Sequence, residues 1–332
     1  MSNKLTPSLR GPGRMRQLLL AAATVFFGAA SCASWAAYPD KPIKIIVPWA
    51  TGGATDQVAR LLAQPLSQAM GVAVIVENKA GAGGVIGTQS FVKEKADGYA
   101  ILLATSSTNA AAPYLYSKLG FDPINDFTPL VLLCEIPNVM VVPAKSPWTS
   151  LKDIVSAARQ SPGKFTYGSA GIGGSQHLAG AQFKTAANVD VRHIPYKGSG
   201  PAAQDLVAGH LDMMIDTGSL GSIRGGLLKP IAVASAKRLP VLPNVPTFTE
   251  AGTPMLASAW YGLMLPANAP ADVVTRLNTE INKILKSPDF RGRLIDMGAE
   301  VLGGSALEFE KFTASEIKRY EGIVKDSGAP KE

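Results

Sequence analysis

The side chains that usually carry out catalysis or bind metals are scarce in this chain and badly placed for either job. Its 332 residues contain three histidines, His177, His193 and His210, and two cysteines, Cys32 and Cys134. Their spacing matches no zinc-type ligand set, so a metal site is not expected. Ser175 stands two residues before His177, but no G-x-S-x-G elbow is present, and neighbours in sequence do not make a catalytic triad. Met213-Met214-Ile215-Asp216-Thr217-Gly218-Ser219 looks like half of an aspartic protease. That chemistry needs two carboxylates sharing one proton, and the reading here is a strand ending at Asp216. Nucleotide motifs also fail. Gly81-Ala82-Gly83 has Ile86 where a dinucleotide fingerprint needs its third glycine, and Gly163-Lys164 lacks the flanking residues of a phosphate loop. No cofactor is implied.

The small residues form a clearer pattern, because one strand after another ends in a loop of Gly, Ser and Thr. Pro48 to Asp56, Asn78 to Gly87, Thr105 to Asn109, Gly168 to Ser175 and Tyr196 to Gly200 each follow a β-branched run and mostly precede a helical pattern. Open α/β sheets bind ligands beyond the carboxyl ends of their strands, where small residues let backbone amides come close. Helix N-termini there favour anions without a dedicated arginine. Five such loops in one chain point to a shared cleft for a small anion.

The elements that position these loops follow from hydrophobic periodicity. Strands are expected at Ile43–Val47, Val72–Val76, Tyr99–Thr105, Thr128–Cys134 and Val139–Val142, and again at 165–169, 191–196, 211–216, 231–235 and 258–263. Helices are expected at Asp56–Met70, interrupted or kinked at Pro65, and at Leu151–Gln160, Ser175–Ala187, Gly200–Ala208, Ala271–Lys286 and Ala306–Val324. A capping box, Ser305 to Glu308, opens the last helix. Alternating strands and helices indicate α/β units with parallel sheets. The length suggests about two domains, each large enough to fold without disulfides.

Charge marks the N-terminus. Lys4, Arg10, Arg14 and Arg16 precede an apolar run from Leu18 to Ala30 and the small residues 31–37, in the order of a secretory signal peptide. The run is shorter than the ~20 residues of a membrane span. Cleavage is expected near Ala36 or Ala37; Cys32 offers a weaker, lipid-anchored alternative, since Ala29-Ala30-Ser31-Cys32 lacks the leading Leu of a lipobox. Four of the seven net positive charges leave with residues 1–37, so +3 remains, and no basic patch for nucleic acid is left. The remaining Cys134, inside an apolar run, reads as core.

The sequence resembles the Bug-type periplasmic solute receptors of tripartite tricarboxylate transporters. The similarity is carried by Tyr38-Pro39-Asp40-Lys41-Pro42-Ile43, Val47-Pro48-Trp49 with Gly52-Gly53 and Asp56, Glu77-Asn78-Lys79 with Gly81 to Gly84, and Asp97-Gly98-Tyr99. It continues through His193 to Gly198, Leu242 to Thr247, Glu250-Ala251-Gly252 and Trp260-Tyr261-Gly262. The resemblance implies an α/β fold of two Rossmann-like domains with the flytrap architecture of type II periplasmic binding proteins. Domain 1 would span 38–139 plus 262–332 and domain 2 140–261. The chain would leave domain 1 near Val139–Pro143 and return near Ser258–Leu263.

The resemblance also assigns a site. Gly52, Gly53, Ala54 and Thr55 would hold a ligand carboxylate, with Ala82 and Gly83 nearby. Ser106, Ser107, Ser169, Gly173 and Ser175 would add polar contacts, Tyr196 and Lys197 would reach in from domain 2, and Asp216 would accept from a ligand hydroxyl or amine, directly or through water. Trp49 would wall the pocket. The expected function is a non-enzymatic receptor for a small organic acid or related polar molecule, partnered by the transporter's membrane components. A secreted hydrolase using a serine of the 169–175 loop with His177, and a receptor for a signalling partner, stay open at this point.

Overall fold

A computed structural model describes residues 1–4, 38–329 and 331. The export-signal reading, with its cleavage point and Cys32, falls on residues outside that description. Among the described residues no helix is long and apolar enough to cross a membrane.

In chain order the strands are β1 (Ile43–Val47), β2 (Val74–Asn78), β3 (Ala100–Thr105), β4 (Phe127–Pro137), β5 (Val139–Pro143), β6 (Thr166–Ser169), β7 (Arg192–Pro195), β8 (Met213–Asp216), β9 (Leu228–Val233), β10 (Ser258–Pro266) and β11 (Glu300–Val301). The helices are α1 (Ala54–Met70), α2 (Val85–Phe91), α3 (Ala112–Leu115), α4 (Leu151–Gln160), α5 (Ser175–Ala187), α6 (Ser199–Ala208), α7 (Leu220–Arg224), α8 (Ala271–Lys286), α9 (Pro288–Asp296) and α10 (Ala306–Ser327). One wide π turn, Ser107–Ala111, leads into α3.

Two sheets result, ordered β11-β4-β10-β3-β1-β2 and β7-β6-β8-β5-β9. Neither is wholly parallel, contrary to the expectation from alternating units. β1, β2 and β3 run parallel, as do β6, β7 and β8, but β10 is antiparallel to β3 and β4, and β5 is antiparallel to β8 and β9. The antiparallel strands are those flanking the two passages between sheets. Only Asn138 separates β4 from β5, and β10 starts directly after Ala257. The Asn138 amide donates to the Ala257 carbonyl, Ala257 to Ala234, and Ala234 back to Asn138, at 2.9, 3.0 and 2.8 Å. This ring of three backbone hydrogen bonds ties both passages to the end of β9.

The strands read as near-continuous apolar runs because both faces are covered. In the second sheet Met140, Val142, Met213 and Ile215 pack with Ile154 of α4, Phe183 of α5 and Phe165 just before β6. The alternate residues Val139, Val141 and Met214 pack with Leu206 of α6. In the first sheet Leu102, Ala104, Trp260 and Met264 meet Phe309 and Tyr320 of α10, and Trp260 stacks edge-on against Phe309 and Phe312.

The expected break at Pro65 is absent, and α1 runs through it to a left-handed Gly71 cap. A proline in a helix interior removes one amide, and burial of Val58, Leu62, Leu66 and Met70 along one face outweighs that loss. The box at Ser305 and Glu308 is present, and a second caps α4 at Ser150 and Asp153. Asp326-Ser327-Gly328 repeats the D-[ST]-G pattern, but it ends α10 with Gly328 as its cap. The Asp216 carboxylate is engaged by Gln176, Gly218 and Ser219 instead, and among the described residues it pairs with no second carboxylate.

Candidate functional site

The loops beyond the carboxyl ends of β1, β3, β6, β7 and β8 meet in one buried chamber. From the first sheet come Trp49, Gly53, Ala54 and Thr55 after β1, with Thr105 and Ser107 at the end of β3. From the second come Ala170, Ser175 and Gln176, Ser199, and Thr217. Ala259 and Tyr261 of β10 complete the wall. No lining residue is charged. The accessible volume is ≈ 20 Å³, about what one water needs.

Three helices open onto this chamber, and all three lack a side-chain cap. α1 follows Gly53, α5 follows Gly174 and α6 follows Gly198, none with a capping hydrogen bond. The helices with full capping boxes, α4 and α10, contribute no residue to the chamber. An uncapped N-terminus leaves its first amides without intrahelical partners and carries about half a positive charge. Three such N-termini converge on a chamber lined by no charged side chain.

Buried carboxylates hold the loops in place without entering the chamber. Asp56, 4% exposed, accepts from the Gly52 amide, Arg60 Nε and Asn78 Nδ2, each at 3.0 Å. Burial works to raise its pKa, but the bonds from Arg60, Gly52 and Asn78 outweigh that and hold it below the usual carboxylate range. Asp216 accepts from Gln176 Nε2 at 2.9 Å, the Gly218 amide at 3.0 Å and Ser219 Oγ at 2.7 Å. Its oxygens are thus engaged behind Gln176, whose amide it orients. The Tyr261 and Thr217 hydroxyls lie 2.9 Å apart, joining β10 to the end of β8. Burial raises the Tyr261 pKa strongly, so its phenol stays protonated.

The residues expected from sequence divide into three groups. Trp49, Gly53, Ala54, Thr55, Ser107 and Ser175 line the chamber, and Gly52 lies directly behind it with φ +89°. Ser106, Ser169, Gly173 and Asp216 are outside its lining. Ser106 faces the Tyr320 phenol. Ser169 Oγ lies 2.6 Å from His193 Nε2 and also bonds the Gly171 backbone, while the Gly173 amide donates to His177 Nδ1. Ala82, Gly83, Tyr196 and Lys197 form a separate recess with Tyr116 and Ile172. There the Tyr196 hydroxyl donates to Asp205 at 2.6 Å, and burial with that carboxylate pushes its pKa up to about 12.

A serine nucleophile is not assembled. Ser169 is fully buried, and His177 Nδ1 is taken by Gly173 rather than by Ser175. His177 and His193 stack at 4.2 Å beside Tyr167. Burial lowers their pKa values to about 4 and about 3, helped in His193 by His177 and Lys184. They are neutral packing elements at neutral pH.

Sequence reasoning passed over Thr105, Ala170, Gln176, Ser199, Thr217, Ala259 and Tyr261. Ser199 had a usable signal, since Gly198-Ser199 opens a helix as Gly53-Ala54 and Gly174-Ser175 do. Tyr261 sits in an apolar strand and gives no such hint. The loops of the two sheets also touch outside the chamber. Gln57 Nε2 donates to the carbonyls of Gly52 and Gly218, and the Tyr116 hydroxyl to Ile172 O at 3.2 Å. Gly200 lies so close to the first sheet that a Cβ there would sit 2.3 Å from Thr51 O.

The sequence profile described as "Tripartite tricarboxylate transporter family receptor" matches residues 58–329. The chain belongs to this family. Among family relatives, Protein BugT of Bordetella pertussis, strain Tohama I, is 35% identical over 318 residues, covering 94% of this chain and 98% of BugT. The solved periplasmic binding protein BugD superposes with a TM-score of 0.85 at 34% identity, over 89% of this chain and all of BugD. R. palustris Rpa4515, solved with adipate, superposes with a TM-score of 0.86 at 36% identity, over 88% of this chain and 99% of that one. The family receptor is a solute-binding protein and not an enzyme, and the two-sheet α/β architecture is that of its solved members.

Proposed function

We propose that this family receptor works in the periplasm, capturing the carboxylate of a small organic acid in the chamber and delivering it to the membrane components of a tripartite tricarboxylate transporter. The observation that carries the reading is the convergence of the glycine-capped N-termini of α1, α5 and α6 on a chamber with no charged side chain. A negative charge would pair with first-turn amides that no side chain caps, and the main chain supplies the positive field. The two sheets serve as cores of two closing domains, with the chain passing between them at Asn138 and Ala257 rather than at 139/140 and 261/262. The Asn138–Ala257–Ala234 ring is their pivot. A carboxylate bridging loops of both domains favours the closed arrangement by its differential affinity. Adipate in the R. palustris relative supports the ligand class.

Thermal-shift and calorimetric titration of the purified chain, residues 38–332, against short and long carboxylates tests this. Saturable stabilisation by a carboxylate is expected, with Gly53→Asp abolishing it, because the new carboxylate would occupy the amides of α1. Failure of every carboxylate to stabilise the protein, or an unaffected Gly53→Asp variant, overturns the reading.

A further inference from the structure

A second cavity of ≈ 450 Å³ lies against the chamber, and the two share one wall residue, Ser175. The two spaces lie on opposite faces of the β10 ribbon. Ala259 and Tyr261 face the chamber, whereas Ser258 faces the second cavity, on the side where Trp260 meets α10. Partly buried Ser175 borders both. The chamber is far smaller than the second cavity, and Ser175 is where the two adjoin.

The chemistry of the second cavity is one-sided. Glu135, Glu300 and Glu316 line it against one cation, Arg319. Arg319 already gives two 2.7 Å bonds to Glu316, and Glu135 accepts from the neutral Ser258 hydroxyl. Glu135 and Glu300 are directly opposite each other in the β4–β11 ladder, a juxtaposition of like charges that destabilises a sheet. The side-chain oxygen of Gln182, which also lines the cavity, is buried without a donor. Two carboxylates left to share Arg319 with Glu316, and an orphaned acceptor, call for a donor carrying positive charge.

We infer that this cavity is the tail subsite of the ligand and that it selects a carboxylate bearing a terminal ammonium over a dicarboxylate of equal length. The inference rests on the carboxylate reading of the chamber. An ammonium between Glu135 and Glu300 relieves their repulsion, and a second carboxylate adds to it.

Calorimetric titration with γ-aminobutyrate and succinate, and with ε-aminocaproate and adipate, tests the assignment, with propionate as a probe of the head chamber alone. At least one amino acid is expected to bind about tenfold or more tightly than its matched diacid, and Glu300→Lys to reduce that ratio to about one or invert it. Circular dichroism and the propionate titration establish that the variant is folded. Diacids binding as tightly as the amino acids, or a ratio indifferent to Glu300→Lys, overturn the tail subsite while propionate binding leaves the head chamber standing. If no carboxylate binds, propionate included, both readings fall together.

Discussion

Gly200→Ala isolates closure from folding. Gly200 is the second residue of α6, with an ordinary helical backbone, and alanine is the better helix former by up to ~1 kcal/mol. Nothing within the second sheet crowds the position. The obstruction comes from the other side, where the new Cβ would lie 2.3 Å from Thr51 O, 3.4 Å from Thr51 C and 3.5 Å from Gly52 Cα. Ordinary contact begins at 3.4 Å, so the loop after β1 and the start of α6 must separate by about 1 Å, which overpacking data place at roughly 1–3 kcal/mol. The backbone carbonyl cannot rotate away as a side chain would. If the cost falls on the closed, ligand-bound arrangement, affinity drops roughly 5- to 150-fold while the thermal midpoint of the ligand-free protein holds or rises slightly. The assay is calorimetric titration of a stabilising carboxylate beside thermal unfolding without ligand. Gly221→Ala in α7 is the control, because a Cβ there meets nothing within 4 Å. Wild-type affinity in Gly200→Ala would refute the argument that Gly200 and Thr51 are pressed together in the bound state. A large loss of ligand-free stability would show that they are pressed together before ligand arrives.

Further expectations follow from individual contacts. Tyr261→Phe leaves the buried Thr217 hydroxyl without its 2.9 Å partner, costing about 1–3 kcal/mol and lowering the thermal midpoint by several degrees; an unchanged midpoint counts against the pairing. The stacked His177 and His193 have folded pKa values depressed to about 4 and about 3, so the unfolded chain binds more protons between those values and ~6.5. Their contribution is complete above ~6.5 and is lost as pH falls toward 4 and 3, at about 1.4 kcal/mol for each tenfold difference in proton affinity between the folded and unfolded chains. Denaturant titrations at pH 7 and pH 4.5 should therefore show a smaller acid loss in His193→Phe than in wild type. Asp56→Ala removes the acceptor shared by Gly52, Arg60 and Asn78; carboxylate affinity should fall with stability, whereas a stable variant with full affinity would mean that the Gly52 loop holds itself.

The fold and the site were legible to different degrees, for physical reasons. Apolar runs such as Ile43–Val47 and amphipathic stretches such as Ala271–Lys286 carry their periodicity in the sequence, and both elements stand where it places them. The antiparallel direction of β10 depends on which sheet the returning chain joins, which no local window contains. Short α7 and α9 lack enough turns to display a period. The Gly-Ser-Thr loops advertise close backbone approach, but a hydroxyl's direction depends on its tertiary partner. Ser175 lines the chamber, while Ser169, six residues earlier, turns to His193. Asp216 looked exposed to a ligand because Gln176, forty residues away in sequence, could not be placed against it.

The glycine-capped helix starts have a consequence for how new specificities arise in such a receptor. If the chamber holds a carboxylate as proposed, the charge is held by main-chain atoms that every residue possesses, so most substitutions around the chamber would leave the grip on the head intact unless they add bulk. Side chains farther out, such as the proposed tail residues Glu135 and Glu300, would then be free to change without forfeiting recognition of the carboxylate. A duplicated copy of this chain keeps a working anchor from its first generation, and selection can act on the rest of the solute alone.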